Sequence, residues 1–335
     1  MKRIWFNHWF STVYLMIEML KQADREYYII GSNDKENAVY RAVCDEWYQE
    51  PVLSETEYIQ YCLNFCREHR VDIFIPRRQF LSVSRHKKDF EALGVSVMVD
   101  DYDLIEPLSC KTKTYECLKD IRSIHIPPYF KVTNAEEFVT AYRQLKKDYS
   151  QVCFKFEFDE GGLSFRLIDD RAKGYASLFR NRFGKITFEE AVSALSEREK
   201  IAPLIVMPYL PGEEVSVDCL STAKGRIMIP RFKGSTRTER ISFQEDILKM
   251  CSDFMDRFPL QWPFNIQFKY LCDVPYLLEV NTRMSGGVPL ACHAEQINIL
   301  DIAVSKLIGA EKDWYISKKE TKIAYLERPL IITQE

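Results

Sequence analysis

Short apolar segments alternate with helical patterns over the first 105 residues, and this alternation restricts the fold more than any other feature of the sequence. A helical pattern is clear at 13–22, where apolar side chains recur at helical spacing. The apolar segments are short enough for buried strands and lie at 2–6, 27–30, 72–75 and 95–99. Strands that alternate with helices form a parallel sheet covered by helices. The alternation therefore predicts a Rossmann-like α/β domain over residues 1–106.

Glycine is scarce in this chain, so the positions where it occurs or is missing are informative. At an average usage of about 7%, roughly 23 glycines are expected in 335 residues, whereas the chain has 12. The turn after the first strand, at 7–11, contains none. A dinucleotide-binding turn needs glycines so that the backbone can approach the pyrophosphate. The sequence thus excludes an NAD site at that turn.

The rest of the chain has a mixed α+β pattern. A helix is predicted at 109–121 with Ser109 as its N-cap, followed by a hairpin pattern at 152–168 and a buried strand at 204–208 that is expected at the edge of a small sheet. A last helix and a polar tail close the chain. Strands of a larger antiparallel sheet are expected at 215–221, 226–232, 264–270 and 276–281. The predicted divisions are an α/β domain at 1–106, a connecting helix and small subdomain at 107–206, and a larger subdomain at 207–335.

Composition and charge exclude several classes of partner. Hydrophobic residues make up 46% of the chain and charged residues 28%, which is typical of folded globular protein. The net charge of −3 favours neither nucleic-acid binding nor attraction to an anionic membrane. The ten cysteines include no C-x-x-C pair, which indicates reduced core cysteines. Lys2 and Arg3 imitate the start of a signal peptide, but Asn7, His8 and Glu18 interrupt the apolar stretch, so we expect a cytoplasmic protein.

The segment YLLEVNTRMSGG, which begins at Tyr276, combines residue types that bind phosphate and divalent metal. Side chains two apart in a strand share a face, so Glu279, Asn281 and Arg283 project together. A carboxylate, an amide oxygen and a guanidinium on one edge can bind Mg²⁺ and phosphate side by side. The two glycines that follow allow a close backbone turn. A half-exposed strand with a surface ion pair is the alternative interpretation.

Two further segments could contribute to the same site. Gln267 lies on the polar face of its strand and could face Glu279 across a strand pair. Lys155 lies in an apolar strand, where a buried ammonium needs an anion, and Gly161 and Gly162 follow it as glycines do in phosphate-binding loops. A solvated sheet face and a hairpin turn beside a snorkelling lysine are the respective alternatives.

A hinge follows the buried strand at 204–208. It reads Pro-Tyr-Leu-Pro-Gly-Glu over 208–213 and offers backbone groups to an adenine edge between apolar side chains. Glu214, which begins the next strand, could bind ribose hydroxyls. An ordinary loop between two strands is the alternative.

Basic residues at two places are candidates for binding an anionic second substrate. Arg231 and Lys233 alternate on a strand within the basic segment 230–240 and could clamp a carboxylate or an acyl phosphate, although a solvated loop fits as well. Arg77 and Arg78 follow the strand at 72–75, and loops at the carboxyl ends of parallel strands tend to line clefts.

Together these segments resemble the ATP-grasp superfamily. Lys111, Lys155 with its Gly-Gly turn, the Tyr-Leu-Pro-Gly-Glu-Glu hinge and the Glu-x-Asn-x-Arg strand end occur in the order and approximate spacing of that family. The sequence looks most similar to the synthetase domains of carbamoyl phosphate synthetase and to related carboxylate–amine ligases. Cys110 and Thr282 depart from it, since the family usually has aspartate and proline there. The resemblance implies a pre-ATP-grasp domain followed by an ATP-grasp fold in two subdomains.

The resemblance also implies a role for each of these residues. Arg283 would steady the transferring phosphoryl group or an acyl phosphate, while Arg231 and Lys233 are candidates for the acceptor side from their own segment. The residues implied at the ATP phosphates are Lys111, Lys155, Gly161 and Gly162. Those implied at the adenine and ribose are Met207, Pro208, Leu210 and Glu214. Those implied at the metal are Gln267, Glu279 and Asn281.

The implied activity is ATP- and Mg²⁺-dependent ligation, with Mn²⁺ as an alternative metal. ATP would phosphorylate a small-molecule carboxylate, and an amine or similar nucleophile would attack the acyl phosphate to form a C–N or C–S bond. Phosphoryl transfer depends on positioning and charge neutralisation, which suits a cationic, metal-binding set. A nucleotide-binding module without catalysis and a kinase without ligation stay open as alternatives, and a homodimer is compatible with the sequence.

Overall fold

A parallel sheet forms the N-terminal part of the chain, as the alternating pattern predicts. The structure is a computed structural model that describes residues 1–158, 162–171, 184–234, 237–326 and 329–332. The N-terminal strands are β1 (Lys2–Asn7), β2 (Tyr27–Asn33), β3 (Glu46–Gln49), β4 (Ile73–Ile75) and β5 (Ser96–Val97), in the order β3-β2-β1-β4-β5. The helices between and after them are α1 (Val13–Lys21), α2 (Glu55–Glu68), α3 (Phe80–Arg85), α4 (Lys87–Glu91) and α5 (Tyr102–Ile105). The sequence did not indicate β3 because this edge strand lacks an apolar run.

The central strand β1 is buried on both faces, which explains its continuous apolar sequence. Ile4 and Phe6 point into a core shared with α1, while Trp5 points the other way. The Trp5 ring stacks on Phe65 and Phe74, with ring centroids 4.3 and 4.2 Å apart. Helices on both faces are the arrangement expected of a parallel sheet.

The middle of the chain folds as a small mixed sheet with helices. Its elements are α6 (Lys111–Leu118), β6 (Phe130–Val132), α7 (Ala135–Leu145), β7 (Val152–Phe156), β8 (Arg166–Ile168), β9 (Lys185–Ile186), α8 (Phe188–Leu195) and β10 (Leu204–Pro208), with strand order β6-β10-β7-β8-β9. The predicted edge position of β10 is wrong, because β6 pairs with its outer side and all five residues of β10 are buried. Cys110, not Ser109, is the N-cap of α6.

The last part of the chain adds the predicted antiparallel sheet. Its elements are β11 (Glu214–Thr222), β12 (Gly225–Lys233), β13 (Thr238–Ile241), α9 (Glu245–Arg257), β14 (Phe264–Leu271), β15 (Val274–Asn281), α10 (Val288–Glu295), α11 (Ile299–Leu307) and β16 (Thr321–Ala324). The strand order is β15-β14-β11-β12-β13-β16. The tail predicted to be irregular contains β16, which pairs antiparallel with β13. Its alternation of half-buried and exposed residues is too short to stand out in the sequence.

The chain forms two compact units. The first unit comprises residues 1–108, 214–267 and 280–335, and the second comprises 109–213 and 268–279. The predicted domain 1–106 lies wholly within the first unit, whereas the predicted third part, 207–335, contributes to both. The exact boundaries of the three predicted parts stay a prediction. No helix in the described part of the chain is long and apolar enough to cross a bilayer.

Asp100 links two segments of the first unit and makes its stability depend on pH. The buried carboxylate accepts the backbone N–H groups of Gln261 at 2.7 Å and Trp262 at 3.4 Å. Burial raises the pKa of Asp100 to about 6, although these hydrogen bonds oppose the rise. A raised acid pKa favours folding most below the unfolded pKa near 3.9, and this stabilisation is lost as the pH rises through about 6.

We therefore expect Asp100 to reduce the free energy of unfolding by about 1.4 kcal/mol between pH 5.0 and pH 7.5, since one pKa unit corresponds to about that energy. The Asp100→Asn variant has no titrating group at this position and should lack this part of the pH dependence. Urea unfolding of both proteins at the two pH values measures the difference. Identical pH dependence in the two proteins would contradict the assignment.

Candidate functional site

On one face of the small sheet in the second unit, Lys155 lies next to an apolar surface. Along β7, Cys153 and Lys155 share a face because they are two residues apart. Their partners across the strand pair in β10 are Met207 and Ile205. Cys153, Ile205 and Met207 belong to an apolar cluster that also includes Leu210. The face therefore presents a buried ammonium at the border of an apolar surface, which is the chemistry that an adenine ring and a phosphate chain require together.

Lys155 has a second cation and a carboxylate on the same face. Lys131 in β6 lies opposite Ile205 on the other side of β10, so the two lysines flank one isoleucine. Glu157 follows Lys155 by two residues, is buried, and pairs with Lys131 at 2.8 Å. It also accepts a hydrogen bond from Thr112. Burial alone would raise the pKa of Glu157, but the hydrogen bonds from Lys131 and Thr112 lower it on balance, so the group is a carboxylate at neutral pH.

Lys111 and Glu279, predicted for phosphate and metal, are brought together in the second unit. Lys111 opens α6 and is 8% exposed, and its Nζ lies 3.4 Å from Glu279 Oε2 in β15. Tyr115, one helical turn later, donates to the carbonyl of Leu278 at 2.8 Å and so fixes α6 on the strand. A lysine beside a carboxylate suits a site where phosphate and a divalent cation bind next to each other.

The hinge after β10 is held by close backbone contact. The Gly212 N–H donates to the carbonyl of Tyr270 at 3.0 Å, and a Cβ at Gly212 would lie 2.7 Å from that oxygen. Only glycine fits there without displacing the backbone. Leu210 is buried in the apolar cluster, while the Pro208 carbonyl faces the Cys153 thiol at 3.6 Å. The adenine contacts predicted for Met207, Pro208 and Leu210 stay a prediction.

The predicted phosphate loop is described only in part. Gly162 has a φ of +67°, a left-handed conformation that favours glycine. Gly161 lies outside the described residues. The predicted role of the pair at ATP phosphates stays a prediction.

In the first unit, Glu214 and Lys233 form an ion pair. They lie directly opposite each other in the antiparallel pair of β11 and β12, and Lys233 Nζ donates to Glu214 Oε1. Both side chains are partly exposed. The sequence predicted ribose binding for Glu214 and acceptor binding for Lys233. Because the two side chains are in contact, a group bound to Glu214 would also lie next to Lys233.

Arg231 lies in a buried polar network rather than at the surface of its strand. Its Nε donates to Asp218 Oδ2 at 2.7 Å, and Nη1 pairs with Glu239. Its Nη2 donates to Ser216 Oγ at 3.2 Å and to Ser285 Oγ at 3.0 Å. Burial disfavours the charged guanidinium, but the two carboxylates raise the pKa of Arg231 on balance, so it stays charged. The network connects β11, β12 and β13 to the turn after β15.

Asn265 fixes the other side of this network. A solvated sheet face was the alternative interpretation of the alternating pattern in this strand, but the Asn265 side chain is fully buried. Asn265 Nδ2 donates to Ser216 Oγ, to the Val217 carbonyl and to Asp218 Oδ1, all at 2.9 to 3.1 Å. The predicted metal ligand Gln267 donates through Nε2 to Asn265 Oδ1 at 3.3 Å. Gln267 is thereby oriented by a buried residue.

The end of β15 presents the other predicted residues of the first unit. Arg283 Nη1 donates to Asn281 Oδ1 at 3.3 Å, so the guanidinium and the amide predicted for phosphoryl group and metal are in contact. Gln267 and Asn281 each supply an amide oxygen, a hard oxygen ligand of the kind that Mg²⁺ accepts. Among the described residues, no three His, Cys, Asp or Glu side chains cluster as a separate metal centre.

The glycine pair after Arg283 packs against distant parts of the first unit. A Cβ at Gly286 would lie 3.2 Å from Thr12 Oγ1 and 3.4 Å from the Phe10 ring. The Tyr325 hydroxyl donates to the Gly286 carbonyl at 2.8 Å. The turn that follows β15 is thus fixed by the first β–α turn of the chain and by a residue after β16.

Sequence reasoning missed several residues of these groups. Glu157 had a detectable signal, since it follows Lys155 by two residues and must share its face. Lys131 and Tyr325 had none, because each meets its partner only through strand pairing or tertiary packing.

Gly287 allows Arg231 to occupy its network. A Cβ at this position would overlap the Arg231 guanidinium, which cannot move without leaving two carboxylates. We expect Gly287→Ala to lower the free energy of unfolding by about 2–4 kcal/mol through overpacking and a broken buried ion pair. Chemical denaturation measures this loss.

Gly286→Ala is the matched control, because its contacts of 3.2 and 3.4 Å require only small adjustments. Its cost should stay below about 1 kcal/mol. Equal losses in the free energy of unfolding for the two substitutions would show that the position of Arg231 does not require glycine at 287.

A family model and several curated proteins are similar to the chain. The family described as "ATP-grasp in the biosynthetic pathway with Ter operon" matches residues 200–329. The arginine-specific large chain of carbamoyl phosphate synthase from Halalkalibacterium halodurans is 21% identical over 305 residues, covering 87% of this chain and 27% of that protein. Its counterpart from Geobacillus stearothermophilus is 22% identical over 333 residues, covering 95% of this chain and 29% of that protein. The chain thus spans less than a third of the length of these relatives.

Solved structures share the fold at low sequence identity. The biotin carboxylase domain of the Hydrogenobacter thermophilus 2-oxoglutarate carboxylase has a TM-score of 0.66 and 15% identity, covering 95% of this chain and 72% of that one. The ADP complex of N5-carboxyaminoimidazole synthetase from Staphylococcus aureus has a TM-score of 0.65 and 14% identity, covering 96% and 81%. An L-amino acid ligase from Bacillus licheniformis has a TM-score of 0.63 and 15% identity, covering 92% and 74%.

These similarities confirm the fold class expected from the sequence, a parallel-sheet domain followed by the two subdomains of an ATP-grasp fold. The family model, the curated relatives and the solved structures agree with one another. Residues 200–329 match an ATP-grasp family, and the chain as a whole resembles the large chain of carbamoyl phosphate synthase.

Proposed function

We propose that this chain is an ATP- and Mg²⁺-dependent ligase that activates a small-molecule carboxylate as an acyl phosphate for attack by an amine or a similar nucleophile. The observation that supports it most directly is the contact between Lys111 and Glu279, at 3.4 Å in the second unit. A phosphate-binding cation and a metal-binding carboxylate are then adjacent, as a nucleotide–metal complex requires.

The second unit supplies the proposed nucleotide contacts. The apolar cluster around Ile205 and Met207 would pack on adenine, and Lys155 at its border would bind the phosphates together with Lys111. The charged Glu157 holds Lys131 on the same face and so keeps a further cation near the phosphates. Backbone groups of the hinge would bind the adenine edge. The role proposed for Glu214, which belongs to the first unit, is ribose binding.

The residues proposed to hold Mg²⁺ are Gln267, Glu279 and Asn281. When bound, the metal would neutralise charge on the phosphates during transfer. Asn265 and Arg283 orient the two amides through contacts of 3.3 Å each. Arg283 would also bind the transferring phosphoryl group, because its guanidinium lies at the end of the strand beside Asn281.

The proposed reaction has two steps. A carboxylate oxygen of the substrate attacks the γ-phosphorus, and the bond from that phosphorus to the bridging oxygen breaks, so ADP leaves. The nucleophile then attacks the acyl carbon, phosphate leaves, and the nucleophile loses a proton. Lys233 is proposed on the acceptor side. Because Arg231 is buried and held by Asp218 and Glu239, we propose that it serves the acceptor side by holding Ser285 and the glycine turn.

ADP release with a panel of carboxylates, with and without amines, tests this function, alongside ATP binding by calorimetry. ADP release that requires both substrates supports a ligase. ATP binding without turnover on any pair would favour a nucleotide-binding module, and turnover without an amine would favour a kinase.

The Glu279→Gln variant tests the proposed metal ligand. It keeps the shape of the side chain but removes the charge, so Mg²⁺-dependent ADP release should fall at least a hundredfold, with an unchanged melting temperature in the absence of nucleotide. Glu91→Gln, on the exposed surface of α4, is the matched control and should behave as the wild type. Full activity of Glu279→Gln would remove the metal assignment.

A further inference from the structure

The N-terminal sheet has a topological switch point, where the strand order reverses. The proposed ligase function assigns no role to the loops at this point. From β1 the chain continues outward to β2 and β3, and it then returns to place β4 and β5 on the opposite side. In such sheets, ligands bind outside the carboxyl ends of the strands where the order reverses. This point lies between β1 and β4, so the relevant loops begin at Asn7 and at Pro76.

Arg77 is fixed at this switch point by the opposite loop. Its backbone N–H donates to Asn7 Oδ1 at 2.6 Å, and its Nη1 donates to the His8 carbonyl at 3.1 Å. Its guanidinium lies over the Phe10 ring, 5.0 Å from the centroid. A cation that is positioned in this way loses little conformational freedom when it binds an anion.

The next residue, Arg78, is engaged by the sheet itself. Its Nη1 lies 3.5 Å from the buried carboxylate of Glu50, and its guanidinium lies over Tyr58 at 4.8 Å. Glu50 also accepts hydrogen bonds from Ser32 and Tyr58, both at 2.7 Å. Arg78 thereby neutralises the buried charge of Glu50. The carboxylate of Glu50 then reduces the positive potential around Arg77 less than an unpaired carboxylate would.

A hydroxyl group completes the arrangement. Thr12 Oγ1 is buried, and it makes no hydrogen bond with any residue in the described part of the chain. A buried hydroxyl in that state can donate to a ligand at low cost, because its desolvation is already complete. Thr12 and Phe10 both lie against Gly286, three residues after Arg283. The switch point is thus adjacent to the glycine turn that is proposed to lie on the acceptor side.

We propose that this switch-point site, formed by Arg77, Thr12 and the loops after β1 and β4, binds a second anionic group of the acceptor substrate, a carboxylate or a phosphate. The inference rests on the proposed ligase function and extends it. The substrate would be activated at one end beside Arg283 and recognised at its other end by Arg77. The acceptor class is therefore a dianion, either a dicarboxylate or a phosphorylated carboxylate.

Calorimetry on the whole chain tests the site with inorganic phosphate and succinate as probes. Each is titrated into protein that is saturated with Mg²⁺ and a non-hydrolysable ATP analogue, so that nucleotide-phosphate contacts are occupied. We expect at least one probe to bind the wild type and to bind Arg77→Gln at least tenfold more weakly. Preference for phosphate would indicate a phosphorylated acceptor, and preference for succinate a dicarboxylate.

Arg85→Gln is the matched control, because Arg85 stacks on Tyr102 at 4.4 Å in the same unit but away from the switch point. It should bind both probes as the wild type does. Thr12→Val keeps the side-chain shape, removes the hydroxyl, and should weaken binding at least threefold even if Arg77→Gln proves poorly folded. The site is refuted if neither probe binds the wild type, or if both test variants bind as well as Arg85→Gln.

Affinity for the ATP analogue separates this inference from the proposed function. It should be the same in the wild type and in the three variants, because none of these residues belongs to the proposed nucleotide contacts. A wild type that binds no nucleotide would overturn the ligase proposal. Unchanged nucleotide binding with no anion binding would overturn only the switch-point site.

Discussion

The ion pair between Asp218 and Arg231, which is almost completely buried, is the interaction on which the rest of the first unit's candidate site depends. Removing one partner from such a pair typically costs about 3–5 kcal/mol, because the remaining charge is then buried alone. Here the pair also gathers Ser216, Ser285 and Asn265, and through Asn265 it orients Gln267. The buried ion pair therefore helps to position the predicted metal ligand Gln267, and it does so without a bound ligand.

Much of the fold and part of the site could be predicted because they depend on local periodicity. Strand parity placed Asn281 and Arg283 on one face, and the contact between their side chains agrees with that placement. The lysine in the apolar strand is buried, as its sequence context indicated. The alternation of strands and helices was sufficient to predict the parallel sheet, because parallel strands are connected by crossovers that are usually helical.

The remaining features depend on contacts between residues that are distant in the chain. Asn265 alternates with apolar neighbours as a solvated residue would, and only the network around Asp218 explains its burial. Arg231 was predicted at a substrate because its charge was visible, whereas the two carboxylates that hold it lie on other strands. The strands β3, β6 and β16 lack apolar runs of their own and are defined by the neighbours with which they pair.

The hydrogen bond from Tyr325 to Gly286 has a consequence for the order of folding. A ribosome releases the chain from its N-terminus, so the glycine turn emerges before the strand that leads to Tyr325. Until β16 pairs with β13, the turn lacks both this hydrogen bond and the sheet edge beside Glu239. The glycine turn therefore reaches its final geometry late in synthesis, after the residues of the second unit have been made.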